Sequence, residues 1–530
     1  MRLASHIAKQ VLGLFVAVVF LAISSEASAC DHYAAPDGSG DAMGGPLGVA
    51  LAPGTEAQPM LVSDFWNQGL AIAGATLCLK NGIYRGADSM IAPPLSTDGA
   101  LGAPITVRAQ NDGEAFIDGD DLYIPVHIRS SSHWLLEGFN AGNGSTTVIG
   151  ISGEANNPAH RDSGITIRRV VAWDALISNG SSNNFHVWGI SYMDDALLED
   201  VGGFGTGRKI FQIYQSRRVT LRRAFARWEG SGGGSAIPIS CLYRSYDVTC
   251  ENNIALWTAE QQPSINVTSS GRGALAVDWL MTDDESWADD GSTPNFDPKN
   301  ADLRLLGNIS IVPATVPNNP GVAPAAPLIP SGSTWLAYMK GIEFIDNLAI
   351  ANRDDMQVWR ILGCQDNVPA GADCDWAIGQ DETEAPLVAR HNTSWGGNGI
   401  STFGGWTVNE DKLIVDYGDP APNVFTGTQG AQVCHRYEDG VLQDGSGATT
   451  TQPLWPWPMN ERILAATTLA AGHSAEDVTQ RIETLLGPIP SECRAAAVPA
   501  MNGPGIALLI ASLIAAAWLL TAKSPRSRTS

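Results

Sequence analysis

Apolar and polar positions alternate in short runs along the middle of the chain. Trp134-Leu135-Leu136-Glu137-Gly138, Ile165-Thr166-Ile167-Arg168-Arg169 and Ala196-Leu197-Leu198-Glu199-Asp200 share one pattern: apolar, any, apolar, charged, then a small or polar residue. Val219-Thr220-Leu221-Arg222-Arg223 and Val248-Thr249-Cys250-Glu251-Asn252 continue it. Looser copies follow at Leu303–Asn308, Ile342–Asn347 and Val388–Asn392. Runs of about five residues with a period of two are short strands with one face turned inward. The clear copies start 23 to 31 residues apart. A period in that range, with no helical linker, indicates stacked coils that each bury an apolar face against the next. The expected fold class is all-β, a parallel β-helix solenoid.

The charged position carries its own test of register. In chain order it reads Glu137, Arg168, Glu199, Arg222, Glu251. Coils in register would stack these side chains about 4.8 Å apart with the sign alternating at every step. That column gives Arg168 and Arg222 a structural role.

Three segments carry a family resemblance. Tyr33 to Gly40 (Y-A-A-P-D-G-S-G) looks like the entry segment of right-handed parallel β-helix proteins. Gly74 to Tyr84 and Pro104 to Ala109, running on to Ile117-Asp118-Gly119, look alike in the same sense, with Ala75 where an Asp is usual. The resemblance spans roughly residues 31 to 400 and implies the pectate-lyase-like superfamily. Its members cut or bind acidic and neutral polysaccharides, and the fold carries lyases, hydrolases, esterases and non-catalytic adhesins.

Both ends are apolar. Arg2 and Lys9 precede the run Val11 to Ile23, and Ala27-Ser28-Ala29 forms an A-x-A site, which predicts a signal peptide over 1–29 and an exported mature chain. Residues 505–522 form an apolar run followed by Lys523, Arg526 and Arg528. At about 1.5 Å per residue it matches the thickness of a bilayer, with the basic end cytoplasmic. The stretch 498–530 resembles bacterial sorting tails processed by exosortase-type or rhomboid-type proteases; a permanent single-pass transmembrane anchor is the alternative. The predicted organisation is a β-helix over 30–433, a small helical cap over the last coil at 434–497, and the tail. The expected location is the cell surface or the extracellular space, with transient membrane contact.

Composition narrows the partners. The net charge is −23, with 56 Gly, 31 Pro and 16% charged residues, which suits a turn-rich exported protein and argues against nucleic acid. Eight cysteines fit an oxidising compartment and lack the CxxC spacing of a zinc site. One pairing among 105 joins Cys30 with Cys78, Cys241 with Cys250, Cys364 with Cys374 and Cys434 with Cys493.

The strongest local anomaly is Gly205 to Gly230, with seven basic residues against one acid, Glu229. A polysaccharide lyase needs a base for the proton alpha to a uronate carboxylate, and positive charge or Ca²⁺ to neutralise that carboxylate. Lys209 is the candidate base, with Arg208 lowering its proton affinity. Arg227 is placed to grip a carboxylate while Trp228 stacks on a sugar ring, and Tyr214, Arg217 and Arg218 complete the substrate-binding set. The competing reading makes Arg222 part of the charge column and pairs Arg223 with Asp200 one coil away. Asp194, Asp195 and Glu199 form a candidate Ca²⁺ group, and the acidic insertion from Asp283 to Asp297 is a second. The chain lacks the N-T-D, D-D and G-H-G set of polygalacturonase-like hydrolases and the R-x-P-x-x-R and W-x-D-H patterns of the main pectate lyase family. The doublets Asp120-Asp121 and Asp194-Asp195 keep glycoside hydrolysis open. Three readings follow: a protein that recognises extracellular polysaccharide and cleaves it as a lyase, a non-catalytic surface or biofilm-matrix scaffold, and a glycoside hydrolase.

Overall fold

The computed structural model describes residues 30–36, 54–153, 162–176, 185–230 and 237–257, strand segments between 275 and 416, and 457–486. The signal segment, the acidic insertion, the sorting tail and Cys364, Cys374, Cys434 and Cys493 lie outside the described residues. No described helix is long and apolar enough to cross a membrane.

Each strand hydrogen-bonds in parallel to the strand one coil further on, so three sheets run the length of the solenoid. One coil shows the arrangement. Lys209–Tyr214 lies in sheet C, Arg217–Arg222 in sheet A and Phe225–Gly230 in sheet B, and the next strand, Ile237–Glu251, passes from C into A without a break. Inside, Ile167, Leu198, Leu221, Trp188, Phe211 and Trp228 form one continuous core. The expected β-helix is therefore present.

The register of sheet A is the one the charge pattern requires. Glu137 pairs with Arg168, Arg168 with Glu199, Glu199 with Arg222 and Arg222 with Glu251. Arg108, opposite Glu137, extends the column one coil earlier. Glu199 is its centre. It accepts from Arg168 Nε at 3.2 Å and Arg222 Nε at 2.8 Å, and also holds Arg223. Leu306 follows Glu251 in register, so the column stops there, and burial pushes the Glu251 carboxyl up to about 7.

The turn from sheet A to sheet B is built by two further columns. Gly138, Arg169, Asp200, Arg223, Asn252 and Gly307 all have φ between +49° and +77°. From Gly138 to Asn252, each donates its backbone N–H to a carbonyl of the next coil. The following position changes from Val170, Val201 and Ala224 to Asn253, Asn308 and Asn347. The amides of Asn253 and Asn308 accept from the preceding coil's backbone N–H at 2.8 and 3.0 Å, and both donate to buried carbonyls. A buried amide here satisfies backbone groups that the turn leaves without strand partners.

Two of the four disulfides in the expected pairing are present, and the other four cysteines lie outside the described residues. Cys30–Cys78 joins the entry segment to the first full coil, and Cys241–Cys250 crosses the interior between sheets C and A.

Two helices, α1 (Asn460–Leu469) and α2 (Val478–Leu486), follow. Their expected position over the last coil is corrected: they lie along the flank. Met459, Ile463, Ala466, Val478 and Ile482 pack on Phe116, Val171, Trp173, Phe204, Phe225 and Ile254, residues of successive coils of sheet B. The reason is on sheet B itself, whose outer face carries a large aromatic stripe that water would otherwise meet. A charged network fastens the joint. His473, between the helices, places Nε2 2.6 Å from Asp174 and Nδ1 2.5 Å from Glu229. Arg227 bonds to Glu229 at 2.6 Å and to Glu476 at 3.0 Å. Gly205 leaves the space, since a side chain there would begin 2.2 Å from the Asp174 carboxylate.

Two outcomes test this frame. Glu199→Ala removes the buried carboxylate that Arg168, Arg222 and Arg223 share, leaving Arg223 with Asp200, and urea unfolding should show a loss of about 3–5 kcal/mol. Arg218→Ala breaks an exposed pair and should cost less than about 1 kcal/mol. For His473, burial works against the charge but the hydrogen bonds it donates to Asp174 and Glu229 outweigh it, raising the imidazolium from 6.5 to about 9. Folded affinity for the proton exceeds unfolded affinity, so the contribution is complete below about pH 6.5 and lost as pH rises through about 9, on the order of 1–3 kcal/mol. Melting curves from pH 6 to 10 should show that loss in the wild type, while His473→Gln should be less stable at pH 6 and lack the fall between about pH 8 and 10.

Candidate functional site

Consecutive sheet C strands repeat a second pattern. Val126–Arg129 reads V-H-I-R, and Ile149–Ser152 reads I-G-I-S. The last four residues of His186–Ser191 read W-G-I-S, and those of Lys209–Tyr214 read F-Q-I-Y. Register stacks Ile149, Trp188 and Phe211 inside, with the Trp188 and Phe211 rings 5.1 Å apart. Outside, it makes a row His127, Gly150, Gly189, Gln212, Ser240. The two central positions have no side chain, so the row is high at its ends and low in the middle. A second row runs Arg129, Ser152, Ser191, Tyr214.

The result is a recess of about 460 Å³ floored by Gly150 and Gly189. Lys209, Arg208 and His186 stand on one side, His127 and Thr147 on another, and Gln212, Tyr214 and Tyr192 beyond them. Lys209 is 2% exposed, with Nζ 3.3 Å from Ser240 Oγ. Tyr192 meets Tyr214 edge to face, centroids 5.6 Å apart. His186, one coil from Lys209 in register, is 6% exposed, and its Nδ1 has no hydrogen-bond partner. Burial, then the charges of Lys209 and Arg208, hold His186 well below the ordinary imidazole value. Burial and Arg129 lower His127 to about 4. Both rings are therefore neutral near pH 7. Among the described residues that line the recess none is a carboxylate.

The structure brings together three of the basic-island residues, Lys209, Arg208 and Tyr214, and disperses the rest. Arg227 does not grip a ligand: it is 2% exposed, beneath the helices, between Glu229 and Glu476. Trp228 does not offer a stacking face, because strand parity turns it inward, where it is 1% exposed and its indole N–H donates to the Gly207 carbonyl at 2.8 Å. Arg217 and Arg218 lie on sheet A and hold Asp194 and Asp195, with Arg218 Nε 2.6 Å from Asp195. Arg223 bonds to Asp200 at 2.6 Å, as the competing reading had it.

The same pairs undo the metal trio. Asp194 and Asp195 are engaged by Arg217 and Arg218, and Glu199 by three guanidinium groups. Ca²⁺ takes six to eight oxygen ligands, carboxylates foremost. Among the described residues no group of three or more His, Cys, Asp or Glu side chains is placed to hold a metal ion. The described walls of the recess therefore do not fit Ca²⁺. Asp120 and Asp121 occupy left-handed turn positions away from the recess, so neither carboxylate doublet lines it.

Residues missed in the sequence are His186, His127, Gln212, Ser240 and the glycine floor. Their signal was present in the fourfold sheet C pattern, which carries no charge to draw the eye except at Arg129.

No protein-family model matches the chain. A pectate lyase of Emericella nidulans, PEL9, is 26% identical over 301 residues, which is 54% of this chain and 63% of that protein's own length. Among solved structures, pectate lyase Pel9A covers 83% of this chain and 92% of its own, at 13% identity and a TM-score of 0.39. A rhamnogalacturonan lyase covers 75% and 88%, at 13% identity and a TM-score of 0.35. An alginate lyase from Paenibacillus sp. covers 67% and 96%, at 10% identity and a TM-score of 0.32. The chain is thus similar to a fungal pectate lyase over about half of its length, and its all-parallel coils have the form of a β-helix.

Proposed function

We propose that the protein binds a uronate-containing extracellular polysaccharide in the sheet C recess and cleaves it by β-elimination. The observation that carries this reading is a buried lysine and an arginine side by side in a glycine-floored recess. Arg208 supplies the positive charge that a sugar carboxylate needs. Burial works against the charged form of an amine, and so does a neighbouring guanidinium, which suits Lys209 to accept a proton. In the step, Lys209 takes the proton alpha to the carboxylate. The released electron pair forms the ring double bond while the glycosidic C–O bond to the next sugar breaks, and the departing oxygen takes a proton from water. The identity of the fungal relative as a pectate lyase agrees with this chemistry.

Glycoside hydrolysis uses two carboxylates, and among the described residues lining the recess there is none. The signal segment and the tail extend the proposal to an exported protein held at the cell surface by, or released through, its C-terminal segment.

The test is the appearance of unsaturated product, read by its ultraviolet absorbance, from pectate, alginate and glycosaminoglycans with and without Ca²⁺. Lys209→Ala should lower kcat by about a hundred- to ten-thousand-fold while leaving the unfolding midpoint in place. Arg227→Ala should instead lower the midpoint. Wild-type silence on every polymer, with no new reducing ends, would leave a binding scaffold as the reading.

A further inference from the structure

His186 takes no part in the step just described, yet it is the most unusual group in the recess. It is buried, it lines the cavity, and its Nδ1 has no hydrogen-bond partner. A buried polar atom without a partner is disfavoured, and native structures retain one chiefly where a ligand or water completes it. The Cβ and Cδ2 of His186 lie 4.0 Å from the point where a Gly189 side chain would begin, so the ring borders the floor on which a sugar would rest.

Among the described residues, the groups that line the recess with it are basic or neutral. Lys209 stands opposite on the next coil with Arg208 beside it, His127 lies across the glycine floor with Arg129 behind it, and Tyr214 closes the far side.

We infer that His186 is a ligand-contacting residue of the recess that takes a proton from solvent when a sugar carboxylate binds, so that the site makes part of its counter-charge on demand. This rests on the recess being the uronate site and adds to it the residue that reads the ligand's charge. The free ring is neutral because burial, Lys209 and Arg208 oppose its charge. An anion beside Arg208 offsets that field and favours the imidazolium. By linkage, proton uptake on binding means that affinity rises as pH falls, towards a limit of about tenfold per pH unit for one proton. A neutral sugar of the same shape offers no such offset and should bind without uptake.

The experiment is calorimetry on the full chain at pH 5.5 in two buffers of different ionisation enthalpy. The probes are oligogalacturonate, oligomannuronate, the methyl ester of the former, and acetate. Proton uptake with an acidic oligomer and none with the ester is the expected result, and His186→Gln should bind the acidic oligomer without uptake. Because that variant replaces a buried ring, a second readout uses the wild type. The Cε1 signal of histidine-labelled protein that is absent in His186→Gln should move to the imidazolium position on adding the acidic oligomer and stay in place on adding the ester. Binding without uptake, or uptake that persists in His186→Gln, would overturn the role of His186 and leave the recess reading standing. Acetate giving the same uptake would show an anion effect that needs no sugar and would overturn it too. Failure of both acidic oligomers to bind would overturn the recess reading and this inference with it.

Discussion

Parallel stacking in register is the constraint on which everything else rests. When each strand pairs with its counterpart one coil away, equivalent positions become neighbours about 4.8 Å apart, and a preference at one position becomes a column. Opposite charges then have to alternate, as from Arg108 to Glu251. Buried turn positions have to satisfy each other, as Asn253, Asn308 and Asn347 do. Two glycines in successive coils, Gly150 and Gly189, have to make a floor. The recess follows from the same register as the salt-bridge column on the neighbouring sheet.

Charge is distributed by face. Sheet A uses its arginines against carboxylates, so Arg168, Arg217, Arg218, Arg222 and Arg223 hold the structure together. Sheet B does likewise beneath the helices, where Arg227 and His473 sit among Asp174, Glu229 and Glu476. Sheet C brings Arg208 and Lys209 to the wall of the recess. A chain of net charge −23 therefore keeps a local basic concavity, the place where an acidic polymer gains most.

The coils, the charge column and two disulfides were legible in the sequence because each is a periodic or short-range feature. The basic island was legible as an anomaly and misleading as a site. One coil turns through three faces between Lys209 and Gly230, so residues close in sequence, such as Arg208, Arg217 and Arg227, end on sheets C, A and B. Strand parity decided Trp228, and it is ambiguous in a run such as Phe225-Ala226-Arg227-Trp228-Glu229, where aromatic residues occupy both faces. The docking of α1 and α2 on sheet B decided Arg227, and it depends on contacts more than two hundred residues apart in the chain. His186 and the glycine floor escaped notice because their chemistry lies in neutrality and in missing atoms.

The central claim is that the ligand rests on the floor made by Gly150 and Gly189. Gly189 is the position to probe, because a Cβ there would sit in ordinary contact, 3.4 Å from Thr147 and 4.0 Å from His186, at the floor of the recess. The measurement is calorimetric titration of Gly189→Leu with the acidic oligosaccharide that the wild type binds, alongside its unfolding midpoint. The account predicts affinity weakened by at least about tenfold with the midpoint unchanged. Wild-type affinity in a folded Gly189→Leu would place the ligand elsewhere on the solenoid and contradict it.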